Sequence, residues 1–140
     1  MNVSKEDSPQ QVNRTLQMGE RSPMLATASG KASLACLPEH EIEQYFSSVQ
    51  PTAITPKTIT DLKVLDSQLD GIRSYGIACN RQDISDRIIA MAALIFDLYA
   101  KVVASIVVSV PVIRFTPEKE NLIKYVSQEA FMIPSRKLGF

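Results

Sequence analysis

The chain of 140 residues has no tryptophan, one histidine, two cysteines and five glycines, and its 15 basic and 15 acidic residues cancel to zero net charge. Each scarcity removes a class of function. His40 stands alone between Glu39 and Glu41 at a polar helix start. No Ser/His/Asp or Cys/His set can be built around it, and a solvated surface imidazole is the simpler reading. Cys36 and Cys79 lie far apart. They give neither a C-x-x-C pair, nor a disulfide framework, nor zinc-ligand spacing, and read as two small half-buried thiols in a reducing cytoplasm. Without a basic surplus, the chain has little with which to neutralise phosphates, so nucleic-acid binding by this chain alone is not expected. The first residues, Met1 to Asp7, contain no apolar core of a secretory signal. An enzyme, a metal site and a cofactor are not expected either.

A long uncharged apolar run is also missing. From Ile88 to Ile113 the only charges are Asp97 and Lys101, but they sit mid-run, where a membrane helix tolerates them least. The pieces on either side, Ile88–Phe96 and Val102–Val110, are too short to span a bilayer as helices. Their Ile and Val content suits two buried strands joined by a turn at 97–101. The expectation is a soluble, cytoplasmic protein with no membrane partner.

What is present is the composition of one globular domain over residues 1–140, 45% hydrophobic and 21% charged. Arg14–Met18 alternates weakly and reads as a strand closing at Gly19. The small apolar stretch from Ala26 to Leu37 reads as a short helix. Pro38 opens another, with Glu39, Glu41 and Glu43 near its positive end and Ile42, Tyr45, Phe46 and Val49 on one face. Pro51 ends it, and 51–60 reads as a loop. Asp61–Tyr75 is the clearest helix, with Leu62, Leu65, Leu69 and Ile72 in line and Gly76 suited to the stop. A last helix begins at Thr116-Pro117-Glu118, with Leu122, Ile123, Val126 and Ala130 as its inner face and Pro134 expected to break or kink it. Helices mixed with an adjacent strand pair indicate an α+β class with an antiparallel sheet.

Three features could carry a site. Ser29-Gly30-Lys31 lacks the Gly and the Ser/Thr of a phosphate-binding G-x-x-x-x-G-K-[ST] loop, because Leu25 and Ala32 occupy those positions. What remains is a helix start with small residues, either capped by Thr27 or Ser29 or free to hold an anion. Ser109, in the apolar run Val107–Val110, either bonds the sheet ladder or faces a cavity. Asn80, after Cys79, reads equally well as a turn residue.

Taken together, these segments resemble the effector-binding domain of IclR-family transcriptional regulators. The stretch Gly19-Glu20-Arg21-Ser22-Pro23-Met24-Leu25-Ala26-Thr27-Ala28-Ser29-Gly30-Lys31-Ala32 is similar to the family's G-x-R-x-P-L-x-x-T-A-x-G-K-A. Thr58-Ile59-Thr60, Ile72-Arg73 with Gly76 and Ala78, the strand pair Ile89–Asp97 and Val102–Pro111, Arg114–Glu118 and Ser135–Gly139 follow in the family's order. The resemblance implies a GAF-like fold: an antiparallel sheet flanked by helices, with a ligand cavity against the sheet. It implies a pocket of backbone N–H groups at Ala28, Ser29 and Gly30, a hydroxyl from Ser109, and walls at Asn80 and Ala90. It also implies a small-molecule effector (a small carboxylate or hydroxy compound), a homo-oligomer, and contact with DNA only through a winged-helix domain that this chain lacks. Where the family often has Asp, Cys and a first Ser in the pocket, this chain has Asn80, Ala90 and Val107. Arg87 and Ala100 replace usual glycines, and Leu94 a usual proline. The alternative to a sensor is therefore an interaction or dimerisation module, or a degenerate remnant that no longer binds an effector.

Overall fold

Caps and glycines set the element boundaries in the computed structural model, which describes residues 1–6, 9, 19 and 21–137, with side-chain surroundings in the last helix as far as Glu129. The strand expected at Arg14–Met18 lies outside the described residues. A 3-10 turn, Met24–Ala26, leads into helix α1 (Ala28–Ala35), and Thr27 between them caps α1 by accepting the Gly30 N–H on Oγ1 at 3.1 Å. Helix α2 (Glu39–Ser48) follows Pro38 with Glu39 and Glu41 in its first turn. Ile42 is buried, and Tyr45, Phe46 and Val49 pack against the core. The Asp61 carboxylate caps α3 (Leu62–Tyr75), accepting the Lys63 N–H at 2.8 Å. Gly76 ends it in the left-handed region, at φ 73°, where a side chain would be strained.

That turn delivers the chain into strand β1 (Ile77–Arg81), followed by β2 (Ile88–Phe96), β3 (Val102–Pro111), a 3-10 turn (Val112–Arg114) and helix α4 (Pro117–Lys137). The sheet is antiparallel in the order β1-β2-β3, as the α+β reading expects. Ala78, Ala90, Ala92 and Leu94 join Leu25, Ala28, Ala32, Leu34, Leu65 and Leu69 in one core between the sheet and helices α1 and α3. The intervening β2 residues Ile89, Met91 and Ala93 are buried as well, so both faces of the central strand are covered. Burial on both faces explains why β2 reads as a continuous apolar run instead of an alternating one.

Several expectations need correcting. β1 is a strand, and Asn80 lies within it and not in a turn. Helix α4 does not turn Leu122 and Val126 inward: they are 59% and 49% exposed, while Ser127 is buried. Glu120, on the same helix, bridges Arg81 at 2.6 Å and Lys124 at 2.7 Å. Ala130 lies beyond the described side chains. Pro134 does not break α4, which continues to Lys137; of the two outcomes expected there, the break is ruled out. Cys36 is exposed instead of half-buried.

The β2–β3 turn holds a strained residue. Asp97 Oδ1 accepts the N–H groups of Tyr99 at 2.9 Å and Lys101 at 3.0 Å, and Ala100 is forced to φ 58°. An L-residue there costs roughly 1 kcal/mol relative to glycine. Ala100→Gly should therefore raise the melting temperature by about 3 °C. An unchanged or lower value in a thermal melt would show that the turn relaxes around alanine.

Candidate functional site

Strand register brings three of the expected residues into line. Asn80 lies opposite Ala90, and Ala90 opposite Ser109, so the three form one row across β1, β2 and β3. The row lies on the face that α1 covers, since Ala90 and Ala28 share the same core cluster and α1 touches all three strands. Residues from three strands thus lie on the face beneath α1. Asn80 and Ala90 are buried, and Ser109 is half-buried.

The details differ from an open anion cradle. Gly30 owes its lack of a side chain to the protein itself: a Cβ there would stand 2.2 Å from the Met24 carbonyl oxygen. Its N–H is taken by Thr27. Ala28 and Ser29 are left to present helix-start N–H groups. The Asn80 amide is also engaged, with Nδ2 donating to the Ala26 carbonyl at 2.6 Å and Oδ1 accepting the Asp83 N–H at 2.8 Å. Asn80 therefore clamps the 3-10 turn to the sheet.

The most consequential polar group here carries no motif signal. Lys31 and Asp83 form an ion pair beneath α1, their side chains only 1% and 4% exposed. Lys31 crosses from α1 to the β1–β2 loop, and Thr58 Oγ1 donates to the Asp83 carbonyl at 2.6 Å, which fastens the 51–60 loop to the same point. Thr55 Oγ1 does the same to the Gln82 carbonyl at 2.6 Å, with Gln82 itself at φ 71°. A lysine next to Ser29-Gly30 is visible in the sequence, but its partner is 52 residues away. No local spacing signals that pairing.

Two clefts open elsewhere. One, of about 330 Å³, lies among Ala35, Ile72, Arg73, Leu94 and Phe96. The other, of about 250 Å³, is bounded by Lys57, Ile59, Gln68, Cys79, Arg81 and Asp83. Neither is lined by Ala28, Ser29, Gly30, Asn80, Ala90 or Ser109. Burial pushes the Cys79 thiol above the usual range, with the Arg81 charge opposing it in part. Among the described residues, no helix is long and apolar enough to cross a membrane.

Against known proteins, residues 1–134 match the family described as bacterial transcriptional regulator IclR C-terminal. The chain belongs to the IclR family. This IclR-family chain is 30% identical to the HTH-type transcriptional regulator KdgR of Escherichia coli over 125 residues, which is 89% of this chain and 47% of KdgR. It is 29% identical to the HTH-type transcriptional regulator KipR of Bacillus subtilis over 138 residues, 99% of this chain and 55% of KipR. The crystal structure of Thermotoga maritima IclR superposes with a TM-score of 0.87 at 33% identity, over 94% of this chain and 53% of that one. The chain thus spans about half the length of these relatives. KdgR and KipR are transcriptional regulators.

Removing one partner of the buried pair should be severe. Asp83→Asn or Lys31→Met alone strands a buried charge and should cost about 3–5 kcal/mol, whereas Lys31→Met combined with Asp83→Leu should recover much of that loss. Urea unfolding of the three variants measures it; a double variant no more stable than either single one would mean that the pair is favourable in its own right.

Proposed function

We propose that this chain senses a small organic acid on behalf of an IclR-type regulator, with the ligand between the start of α1 and the Asn80–Ala90–Ser109 row. The observation that carries the reading is the in-register row beneath the helix start, which gathers the expected residues on one sheet face. Free N–H groups at Ala28 and Ser29, at the positive end of α1, favour a carboxylate. The half-buried Ser109 hydroxyl offers one further hydrogen bond from an apolar wall. Asn80 is occupied by backbone partners and the Ala90 side chain has no polar atom. A dicarboxylate would leave its second charge desolvated and unpaired, costing several kcal/mol. A monocarboxylate with an apolar tail fits best. Within this reading the regulator works in the cytoplasm as a homo-oligomer, and its DNA contacts come from a winged-helix domain outside these residues.

A second reading, a module that only associates with other copies or with relatives, draws on a specific observation. Ala90 is 3% exposed, and neither cleft reaches the row. Ligand-dependent stabilisation separates the two, because a saturated site must raise the melting temperature. A thermal-shift panel of monocarboxylates, dicarboxylates and hydroxy compounds should give a monocarboxylate hit that weakens in Ser109→Ala. A hit indifferent to Ser109→Ala removes Ser109 from the site, and no hit at millimolar concentrations favours the association module.

A further inference from the structure

The cleft of about 330 Å³ opens where strand β1 begins. β1 starts at Ile77, opposite Ala93, while β2 runs on to Phe96 with β3 still paired along its other side. Leu94 to Phe96 therefore extends past the end of β1, and the slot beside it is lined by Ala35, Ile72, Leu94 and Phe96. Gly76 keeps the slot clear. Its φ of 73° favours glycine, and a Cβ there would meet no atom within 4 Å. None of Ala28, Asn80, Ala90 or Ser109 lines it.

The walls are mostly apolar, and the charges on the lining suit no ion. Arg73 is already held, its Nε donating to the Ala35 carbonyl at 2.9 Å and its Nη1 paired with Asp70. Glu129 of α4 lines the cleft as well. A carboxylate entering here would sit beside Glu129, and an ammonium beside Arg73. Either would also give up water for apolar walls, which an unpaired ion does only at high cost. An uncharged molecule meets neither obstacle. Half-buried Phe96 and exposed Tyr75 both line the cleft, and their rings suit an aromatic partner. An apolar cavity of about 150 Å³ is enough for benzene, so two fused rings have room here.

We propose that this cleft binds a small neutral aromatic molecule of indole size, its ring against Phe96. Cys36 lines the cleft and is exposed, so its alkylation reports on occupancy. In a Cys79→Ser background, which leaves one thiol, indole raised to millimolar concentration should slow iodoacetamide alkylation of Cys36 about threefold, the effect of a ligand at twice its dissociation constant. Benzoate and benzylamine should protect far less at the same concentration. Protection is measured within each variant, with and without indole. It should be lost in Gln128→Trp, an exposed position on α4 where the larger side chain plugs the cleft, and weakened in Phe96→Ala. It should persist in Ser109→Ala, which lies in the other site. Equal protection by benzoate or benzylamine would overturn the neutral occupant, and protection undiminished in Phe96→Ala would overturn the ring contact. No protection by indole, protection undiminished in Gln128→Trp, or its loss in Ser109→Ala would overturn the cleft as a separate site. Alkylation of the ligand-free protein that slows as protein concentration rises would show a second copy covering the cleft, and would also overturn the proposal.

Discussion

Everything around the start of α1 depends on one charge buried under it. A lysine ammonium removed from water is tolerable only if a carboxylate meets it, and the Lys31–Asp83 pair fulfils that condition at almost no exposure. The requirement propagates. Asp83 must be held in the β1–β2 loop, so Asn80 Oδ1 accepts its N–H and Thr58 donates to its carbonyl. Asn80 in turn grips the Ala26 carbonyl, which fixes the turn before α1. A helix, a strand, a hairpin loop and the 51–60 loop are thereby locked to one point, although the apolar core supplies most of the burial.

Much of this fold is legible in the amino-acid sequence, for reasons specific to particular residues. Local chemistry marks Asp61 and Gly76 as the ends of α3, Thr116 and Pro117 as the start of α4, and Asp97–Lys101 as a turn. Strand β2 shows itself through burial on both faces, which removes polar alternation, whereas β3 is mostly half-buried or exposed despite its Ile and Val content. Motif order then points to the family, and register brings Asn80, Ala90 and Ser109 into line. What stays hidden is non-local. β1 is five residues long and hardly distinguishable from a turn, and its identity comes from pairing with β2. The partner of Glu120 on α4 is Arg81, 39 residues away, and no local pattern points to it. Lys31 reveals its role only once Asp83 stands beside it.

The polar economy of the sheet face bears on the selectivity proposed for it. Asn80, the residue in the row best able to bind a ligand, is committed on both its amide atoms to backbone partners. In the proposed sensor, specificity on that face would fall to a hydroxyl and two helix-start N–H groups, which suit one acidic end and little else. A site of this kind discriminates by the shape of the apolar remainder.

The contact between Gly30 and Met24 has a mechanical consequence. With the Met24 carbonyl where a Cβ would stand, and with the Thr27 hydroxyl on the Gly30 N–H, the 3-10 turn and the first turn of α1 have no slack between them. Any side chain at residue 30 would have to prise the 3-10 turn off the helix start, so the two pieces fit together like a tenon in its mortise only because that position is bare.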